Sequence, residues 1–153
     1  MKKLFSTNHH AKSIDAALLI ARVGIGVFML IHGLPKLAML FSGEPVMFPG
    51  IVINGELSLI LAVFAEVICS LLLIIGLGTR LAVIPLIITM LVAVLHIHAA
   101  DPFAKQEPGL QYLLVYVVLF LTGSGRYSVD HLLQSKSSQE KYNSVKTSLS
   151  ISQ

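Results

Sequence analysis

Four apolar segments dominate this chain, at residues 14–34, 57–77, 81–98 and 110–122. A helix that crosses a membrane needs about 20 largely apolar residues. The fourth segment reaches that length only by continuing through the two glycines that follow it. The whole chain is 55% hydrophobic and only 12% charged, whereas soluble domains carry roughly 25% charged residues. The sequence therefore predicts an all-α, polytopic membrane protein folded as a bundle of four transmembrane helices.

Lysine and arginine residues are divided unevenly between the connections, and this indicates the orientation of the bundle. Positive residues collect in the cytoplasmic connections of membrane proteins. With four crossings, both tails and the turn after the second segment lie on one side, which holds Lys2, Lys3, Lys12, Arg80, Arg126, Lys136, Lys141 and Lys146. The other side holds only Lys36 and Lys105. Both termini are therefore predicted to be cytoplasmic.

These boundaries divide the chain into three parts. Residues 1–13 are expected to form a cytoplasmic N-terminal tail, and residues 14–133 a single membrane domain. Residues 134–153 are rich in Ser, Gln and Lys and offer few apolar side chains for a core. A segment of this composition is typical of disorder. We expect it to be a disordered cytoplasmic tail.

Two ionisable residues lie deep inside apolar segments, Arg22 in the first and Glu66 in the second. A charge at mid-membrane costs about 2.5–3.5 kcal/mol on insertion scales, so each needs a partner or a polar cavity. At 1.5 Å per residue, Arg22 lies roughly 12 Å and Glu66 roughly 16 Å from the cytoplasmic ends of their helices. A long Arg side chain spans that difference. We therefore predict a buried charge pair between them, either as a packing lock or as a site that handles protons or binds a headgroup.

Further polar residues collect toward the outer ends of the segments. They are His32, Lys36, His96, His98, Tyr112 and Tyr116. His96 and His98 are two residues apart, so a regular helix would turn them to opposite faces. Helical periodicity favours His96 toward the bundle, because it shares a stripe of small residues with Thr89 and Ala93.

This set predicts an outer pocket with proton acceptors, phenol donors and a cation beneath an apolar shell. That chemistry suits a quinone ring, whose carbonyl oxygens accept hydrogen bonds and protons. No spacing of Cys, His or acidic residues points to a metal site, and no intrinsic cofactor motif is evident. The basic residues are scattered along the tails, without a nucleic-acid-binding motif around them.

Five short motifs follow one another along the chain: Arg22-x-Gly24, His32-Gly33-x-x-Lys36, Glu66 followed by Gly76-Leu77-Gly78-Thr79-Arg80, His98-Ala99-Ala100-Asp101-Pro102-Phe103, and Gly123-x-Gly125-Arg126-Tyr127-Ser128-x-Asp130. Their order and spacing together resemble the DoxX family of small bacterial membrane proteins. The resemblance covers about residues 14–133. It implies a four-helix membrane domain with a helix-turn motif at Gly33, Gly76, Gly78 and Arg80.

The resemblance also bears on function. Some DoxX relatives are subunits of thiosulfate:quinone oxidoreductase or of membrane redox complexes tied to oxidative-stress defence. By the family pattern the functional residues are Arg22, His32, Gly33, Lys36, Glu66, Arg80 and His98. This pattern ranks His98 above His96, against the periodicity, and we keep both as candidates.

Two functions stay open from the sequence. The first is a quinone-linked component of a bacterial inner-membrane oxidoreductase, with a redox enzyme subunit as partner and no catalysis of its own. The second is a structural, assembly or small-solute transport bundle, or a self-associating one, without redox activity. A copurifying quinone or oxidoreductase would favour the first, and solute leakage from liposomes the second.

Overall fold

The computed structural model describes residues 11–42, 48–49 and 54–151. Every regular element in these ranges is a helix: α1 (Ala11–Phe41), α2 (Gly55–Ile75), α3 (Thr79–Ile97), α4 (Phe103–Thr122) and α5 (Val129–Ile151). The prediction of an all-helical protein is confirmed. Lys2 and Lys3, which are predicted to lie in the cytoplasmic tail, are outside the described residues. Residues 43–47 and 50–53 of the predicted first outer loop are outside them as well.

Three of the described helices are long and apolar enough to cross a membrane: Lys12–Phe41, Gly55–Ile75 and Thr79–Ile97. Their outward surfaces are apolar as well, since Ile20, Leu81 and Leu95 are at least 70% exposed. Such side chains suit a hydrocarbon surrounding. α4 is 20 residues long but begins with polar residues around Lys105, so it does not meet the same criterion.

α1 is longer than the sequence predicts. The predicted first segment stops at residue 34, but the helix continues through Pro35 to Phe41. A proline is tolerated inside a membrane helix when neighbouring groups satisfy the carbonyl it releases. At 31 residues, α1 is about 46 Å long, which exceeds the hydrocarbon thickness and favours tilting.

α2 and α3 each contain a π-helical turn, at Phe64–Cys69 and Ala93–Ile97. In a π turn the backbone bonds skip one additional residue, as His98 N to Ala93 O does at 2.9 Å. Such turns shift the phase of all the side chains that follow and are frequent at functional sites. Glu66 lies inside the first turn, and His98 directly follows the second.

The ends of the helices are set by identifiable residues. Asn54 caps α2, since its side chain accepts a hydrogen bond from Leu57 N at 2.8 Å. α2 ends at Gly76, which has a φ of 73°. Leu77 N bonds back to Leu72 O at 3.0 Å, as in a Schellman motif. The glycine thus reverses the chain into α3.

α4 and α5 differ from the sequence-based expectation. The expected fourth segment starts after Pro108 and Gly109, but α4 begins five residues before Pro108, at Phe103, and ends at Thr122. The sequence predicts a disordered tail from residue 134, whereas the structure describes the helix α5 as far as Ile151. Ser128 caps it by accepting from His131 N at 3.2 Å, and the residues that follow are mostly adequate helix formers.

The main core lies where α1, α2, α3 and α4 meet. It is built from large side chains that are at most 2% exposed, including Met29, Leu73, Leu86, Tyr116 and Leu119. A second cluster joins α1 and α2. In it, Leu59, Val63 and Val67 of α2 pack against Leu30, Leu37 and Leu40 of α1. These two clusters hold the polar groups described next in fixed positions.

Candidate functional site

α1 and α2 approach each other closely at Gly33. A β-carbon there would lie 2.8 Å from Val67 Cγ2 and 3.0 Å from Glu66 Cβ, so a small residue is required for the contact. One turn further along α1, Lys36 Nζ donates a hydrogen bond to Glu66 Oε1. The Glu66 side chain is 2% exposed and that of Lys36 29% exposed. The two form an ion pair that is buried at its carboxylate end.

The predicted pairing of Arg22 with Glu66 is wrong, although both side chains are buried. α1 and α2 run antiparallel, because Gly26 faces Ile74 while Gly33 faces Val67. A helical side chain leans toward the N-terminus of its own helix. Arg22 and Glu66 therefore lean toward opposite ends of the bundle, and Glu66 meets Lys36 instead.

Arg22 is held at the turn between α2 and α3. Its Nη2 donates to the carbonyl oxygen of Tyr127 at 2.6 Å. A β-carbon on Gly76 would lie 1.5 Å from Arg22 Nη1, so the guanidinium lies directly against this turn. Within the described part of the chain, Nε and Nη1 have no hydrogen-bond partner. Arg22 thus joins α1 to the α2–α3 turn and to the segment before α5.

Asp130 closes the same end of the bundle. Its Oδ1 accepts from Gly78 N at 2.7 Å and its Oδ2 from Thr79 N at 3.2 Å, at the first residues of α3. Burial alone would raise the pKa of the Asp130 carboxyl. The hydrogen bonds from these amides outweigh it and leave the pKa below its usual value. A carboxylate here also suits the positive end of the α3 dipole.

Further bonds complete this end. Asp15 Oδ1 accepts from Arg126 N at 3.0 Å, and Arg80 Nη2 donates to Leu121 O at 3.2 Å. An open groove of about 570 Å³ is lined by Asp15, Arg80, Arg126 and Asp130, among others. We call this whole arrangement around Arg22, Gly76 and Asp130 the turn clamp, because it joins the helix ends through backbone hydrogen bonds.

Two cavities flank the Lys36–Glu66 pair at the other end. The larger has a volume of about 300 Å³, and its polar lining includes His32, Lys36, Glu66, His98 and Tyr112. The smaller has a volume of about 170 Å³ and lies between α2 and α3. Lys36, Glu66 and Ala93 line both cavities. We call the first the ring cavity and the second the chain cavity.

Aromatic side chains form one side of the ring cavity. His32 and Tyr112 meet edge to face with centroids 5.8 Å apart, and Tyr112 lies 6.1 Å from Tyr116. His32 is exposed at the rim, whereas Tyr116 is fully buried. Among the described residues, Tyr116 Oη and Glu66 Oε2 have no hydrogen-bond partner. Buried polar atoms without partners are uncommon and call for an explanation.

Of the two candidate histidines, only His98 lines the ring cavity. His98 is half-buried and lines the ring cavity, whereas His96 is exposed. The periodicity argument for His96 fails because the π turn Ala93–Ile97 shifts the helical phase before His98. The motif resemblance, which does not depend on phase, ranks His98 first.

A polar cluster holds His98 at the mouth of the ring cavity. His98 Nδ1 lies 2.7 Å from Asp101 Oδ2, and Gln106 Nε2 donates to the carbonyls of both residues at 3.0 Å. The hydrogen bond with His98 is the main cause that lowers the pKa of Asp101 below its usual value. Lys105 Nζ adds a weaker contact to Asp101 at 3.5 Å.

The predicted site residues therefore divide into two groups. His32, Lys36, His98 and Tyr112 line the ring cavity with Glu66, and Tyr116 lies behind Tyr112. Arg22, Gly76, Gly78 and Arg80 belong to the opposite end. Among the described residues, no group of three His, Cys, Asp or Glu side chains is placed to hold a metal ion.

Sequence reasoning missed the partners of Arg22. Tyr127 and Asp130 were part of a quoted motif, yet no role followed from their positions, since they lie more than 100 residues from Arg22 along the chain. The sequence assigns no role to Asp15 either, which accepts from Arg126 N. The motif around residues 123–130 was the one available signal for these contacts.

The fold and the site together define a helical integral membrane protein with a buried ion pair between two cavities. The DoxX family model matches residues 17–99, more than half of the chain, and the chain belongs to the DoxX family. No curated protein and no solved structure matches it.

Proposed function

We propose that this protein is the quinone-binding membrane component of an oxidoreductase complex in the bacterial cytoplasmic membrane. One observation carries the proposal. Glu66 is buried between two cavities, is held by Lys36 through one oxygen, and keeps its other oxygen without a partner among the described residues. An ionised group costs several kcal/mol at this depth, so its retention favours a role in binding.

The ring cavity offers donors and acceptors that match a quinone or quinol headgroup. Lys36 and the Tyr112 hydroxyl, which line the cavity, are donors to a carbonyl oxygen, while Glu66 Oε2 accepts from a phenolic hydroxyl. Its volume of about 300 Å³ is at the lower end of ligand pockets, which span roughly 300–1,000 Å³. A single ring suits that volume better than a fused polycyclic ligand.

A bound quinone supplies two-electron, two-proton redox chemistry. The chain's own residues would orient the ring and exchange protons with it at Glu66 and His98. A partner subunit, a thiol or sulfur oxidoreductase by the family resemblance, would exchange the electrons. The protein itself is then a positioning and binding subunit.

Binding is tested with a tail-less quinone and purified protein in lipid nanodiscs, by equilibrium dialysis. We expect micromolar affinity, weakened about tenfold by Glu66→Gln and by Tyr112→Phe, since one hydrogen bond contributes about 1.4 kcal/mol. Glu56→Gln and Tyr127→Phe are matched controls, because both side chains are exposed and lie outside the cavity.

Unchanged binding in the Glu66 and Tyr112 variants would contradict the proposal, as would no binding by the unaltered protein. Either result would favour the structural or transport bundle without redox activity. In that case the Lys36–Glu66 pair serves only to lock α1 against α2.

The proposed topology has four crossings with both termini in the cytoplasm. The 20-residue length of α4 supports a fourth crossing, since it corresponds to about 30 Å. The distribution of Lys and Arg supports the orientation. Reporter fusions at residues 12 and 140 should both give a cytoplasmic signal, and a fusion at residue 45 the opposite one. An external signal at residue 140 would exclude the fourth crossing.

A further inference from the structure

The two cavities beside the Lys36–Glu66 pair differ in chemistry. The ring cavity carries His32, His98 and Gln106 and lies near the polar connection between α3 and α4. The chain cavity is walled mainly by aliphatic side chains of α2 and α3, namely Leu61, Ala62, Ile88, Val92 and Ile97. Because Lys36, Glu66 and Ala93 line both cavities, a ligand bound at the Lys36–Glu66 ion pair would contact both of them.

The few hydroxyl groups of the chain cavity are already bonded to backbone carbonyls. Thr89 Oγ1 donates to Pro85 O and Ser58 Oγ donates to Asn54 O, both at 2.9 Å. They therefore offer little to a polar ligand. Apart from the ion pair, the surface that an occupant would meet is apolar.

The chain cavity opens on the side of the bundle. Leu61, Ile88 and Ile97 are lining residues that also lie on the outer surface, with 46%, 55% and 38% of their area exposed. All three belong to helices that are long and apolar enough to span a membrane. The opening between α2 and α3 therefore faces the hydrocarbon region of the bilayer.

We propose that the chain cavity holds the first part of the isoprenoid chain of a quinone whose ring occupies the ring cavity. This inference rests on the proposed function. The ligand class becomes a quinone with a long prenyl chain, and the chain leaves the protein between α2 and α3. Glu66 and Lys36 then lie at the junction of ring and chain.

The expected gain in affinity from the chain is modest. A prenyl chain is already in an apolar medium when it is in lipid, so its transfer into the cavity lacks a hydrophobic driving force. The contribution comes from packing and from restricting the ring to one orientation. The position of the chain is for this reason a sharper readout than affinity alone.

The test is photocrosslinking in nanodiscs with a prenylated quinone that carries a diazirine in its first isoprene units. Peptide mass spectrometry should find adducts at Leu61, Ala62, Ile88, Val92 or Ile97. Ala62→Leu, which fills the chain cavity, should reduce this labelling at least fivefold. It should leave the affinity for a tail-less quinone within twofold of the unaltered protein. Ala38→Leu, on the exposed surface of α1, is the matched control and should change neither.

Labelling confined to α1 or α4, or undiminished labelling in Ala62→Leu, would overturn the inference while tail-less binding persists. The inference would also be overturned if the protein bound the tail-less quinone but formed no adducts with the prenylated one. If the unaltered protein did not bind the tail-less quinone at all, the proposed function itself would be refuted. Thermal unfolding of each variant in detergent identifies any variant that fails to fold. Ala62→Val then replaces Ala62→Leu.

Discussion

The two buried charges of this protein, Arg22 and Glu66, lie in contrasting surroundings. Arg22 lies against the backbone of a glycine turn and donates to the carbonyl of Tyr127. Glu66 lies between two cavities and binds the Nζ atom of Lys36. Among the described residues, each of the two retains a polar atom without a hydrogen-bond partner, but only Glu66 lines the two cavities.

This difference indicates a division of labour between the ends of the bundle. In the turn clamp, Asp130 and Asp15 accept hydrogen bonds from backbone amides, so their charges are committed to joining helices. At the ion pair, Glu66 Oε2 has no hydrogen-bond partner among the residues that the structure describes, so it stays available to a ligand. We therefore expect substitutions in the clamp to affect mainly stability, and substitutions at the pair to affect binding as well.

The largest effect is expected at Gly76. A β-carbon there would lie 1.5 Å from Arg22 Nη1, at a φ of 73°, so Gly76→Ala should cost more than about 3 kcal/mol of unfolding free energy. Gly78 has a φ of 60° but open space around it, so Gly78→Ala should cost only about 1–2 kcal/mol. Gly24 lies inside α1 and has open space around it, so Gly24→Ala should increase the unfolding free energy by about 0.5–1 kcal/mol. SDS titration in mixed micelles measures all three, and equal losses would refute the clamp.

The next effect concerns the ion pair. Lys36→Met and Glu66→Gln each leave one partner without its counterpart, and the double variant should recover about 1–3 kcal/mol relative to the sum of the two. The same cycle with Arg22→Met and Glu66→Gln should be additive within about 0.5 kcal/mol. The measurement is again the free energy of unfolding. Coupling between Arg22 and Glu66 of the size expected for Lys36 would contradict the arrangement described here.

Asp130 tests the clamp through pH. Its pKa is lowered in the folded protein, so its contribution is complete above the unfolded value of about 3.9 and is lost as pH falls through the folded pKa. At pH near 7, Asp130→Ala should cost about 1–3 kcal/mol, since charge-assisted hydrogen bonds to two amides are removed. The deficit should shrink on acidification to pH near 3. A deficit that does not depend on pH would show that the carboxylate charge contributes nothing.

The smallest effect on stability is expected at the two histidines. His96→Ala and His98→Ala should each change the free energy of unfolding by less than about 0.5 kcal/mol. His98→Ala, especially together with His32→Ala, should weaken quinone binding, whereas His96→Ala should not. Equal effects on dialysis-measured binding would mean that the phase shift of α3 does not select His98.

Much of the fold could be predicted because the hydropathy and the length of a segment are local properties, and they suffice to identify a membrane-spanning helix. The apolar segments around Arg22 and Glu66 identified α1 and α2, and the cost of burying charge identified both residues as special. The pairing could not be predicted from depth alone. It depends on the lean of each side chain in antiparallel helices, which carries Arg22 and Glu66 in opposite directions.

Other features depend on backbone detail that periodicity does not capture. The π turn before His98 breaks the 100° per residue on which the choice of His96 was based. The helical form of α5 depends on the cap at Ser128, whereas composition alone indicated disorder. Composition describes what a segment can bury, and caps decide where a helix starts.

The two π turns also affect how the sequence of this protein can evolve. A π turn is equivalent to one residue inserted into an α-helix, so it separates the angular phase of the helix on its two sides. In α3, the residues before Ala93 pack in the core with one phase, and His98 follows with another. Removing one residue from the turn would rotate the residues that follow by about 100° while leaving the preceding packing in place. The cavity end of the bundle can thus be remodelled by single-residue insertions and deletions without a redesign of the clamp end.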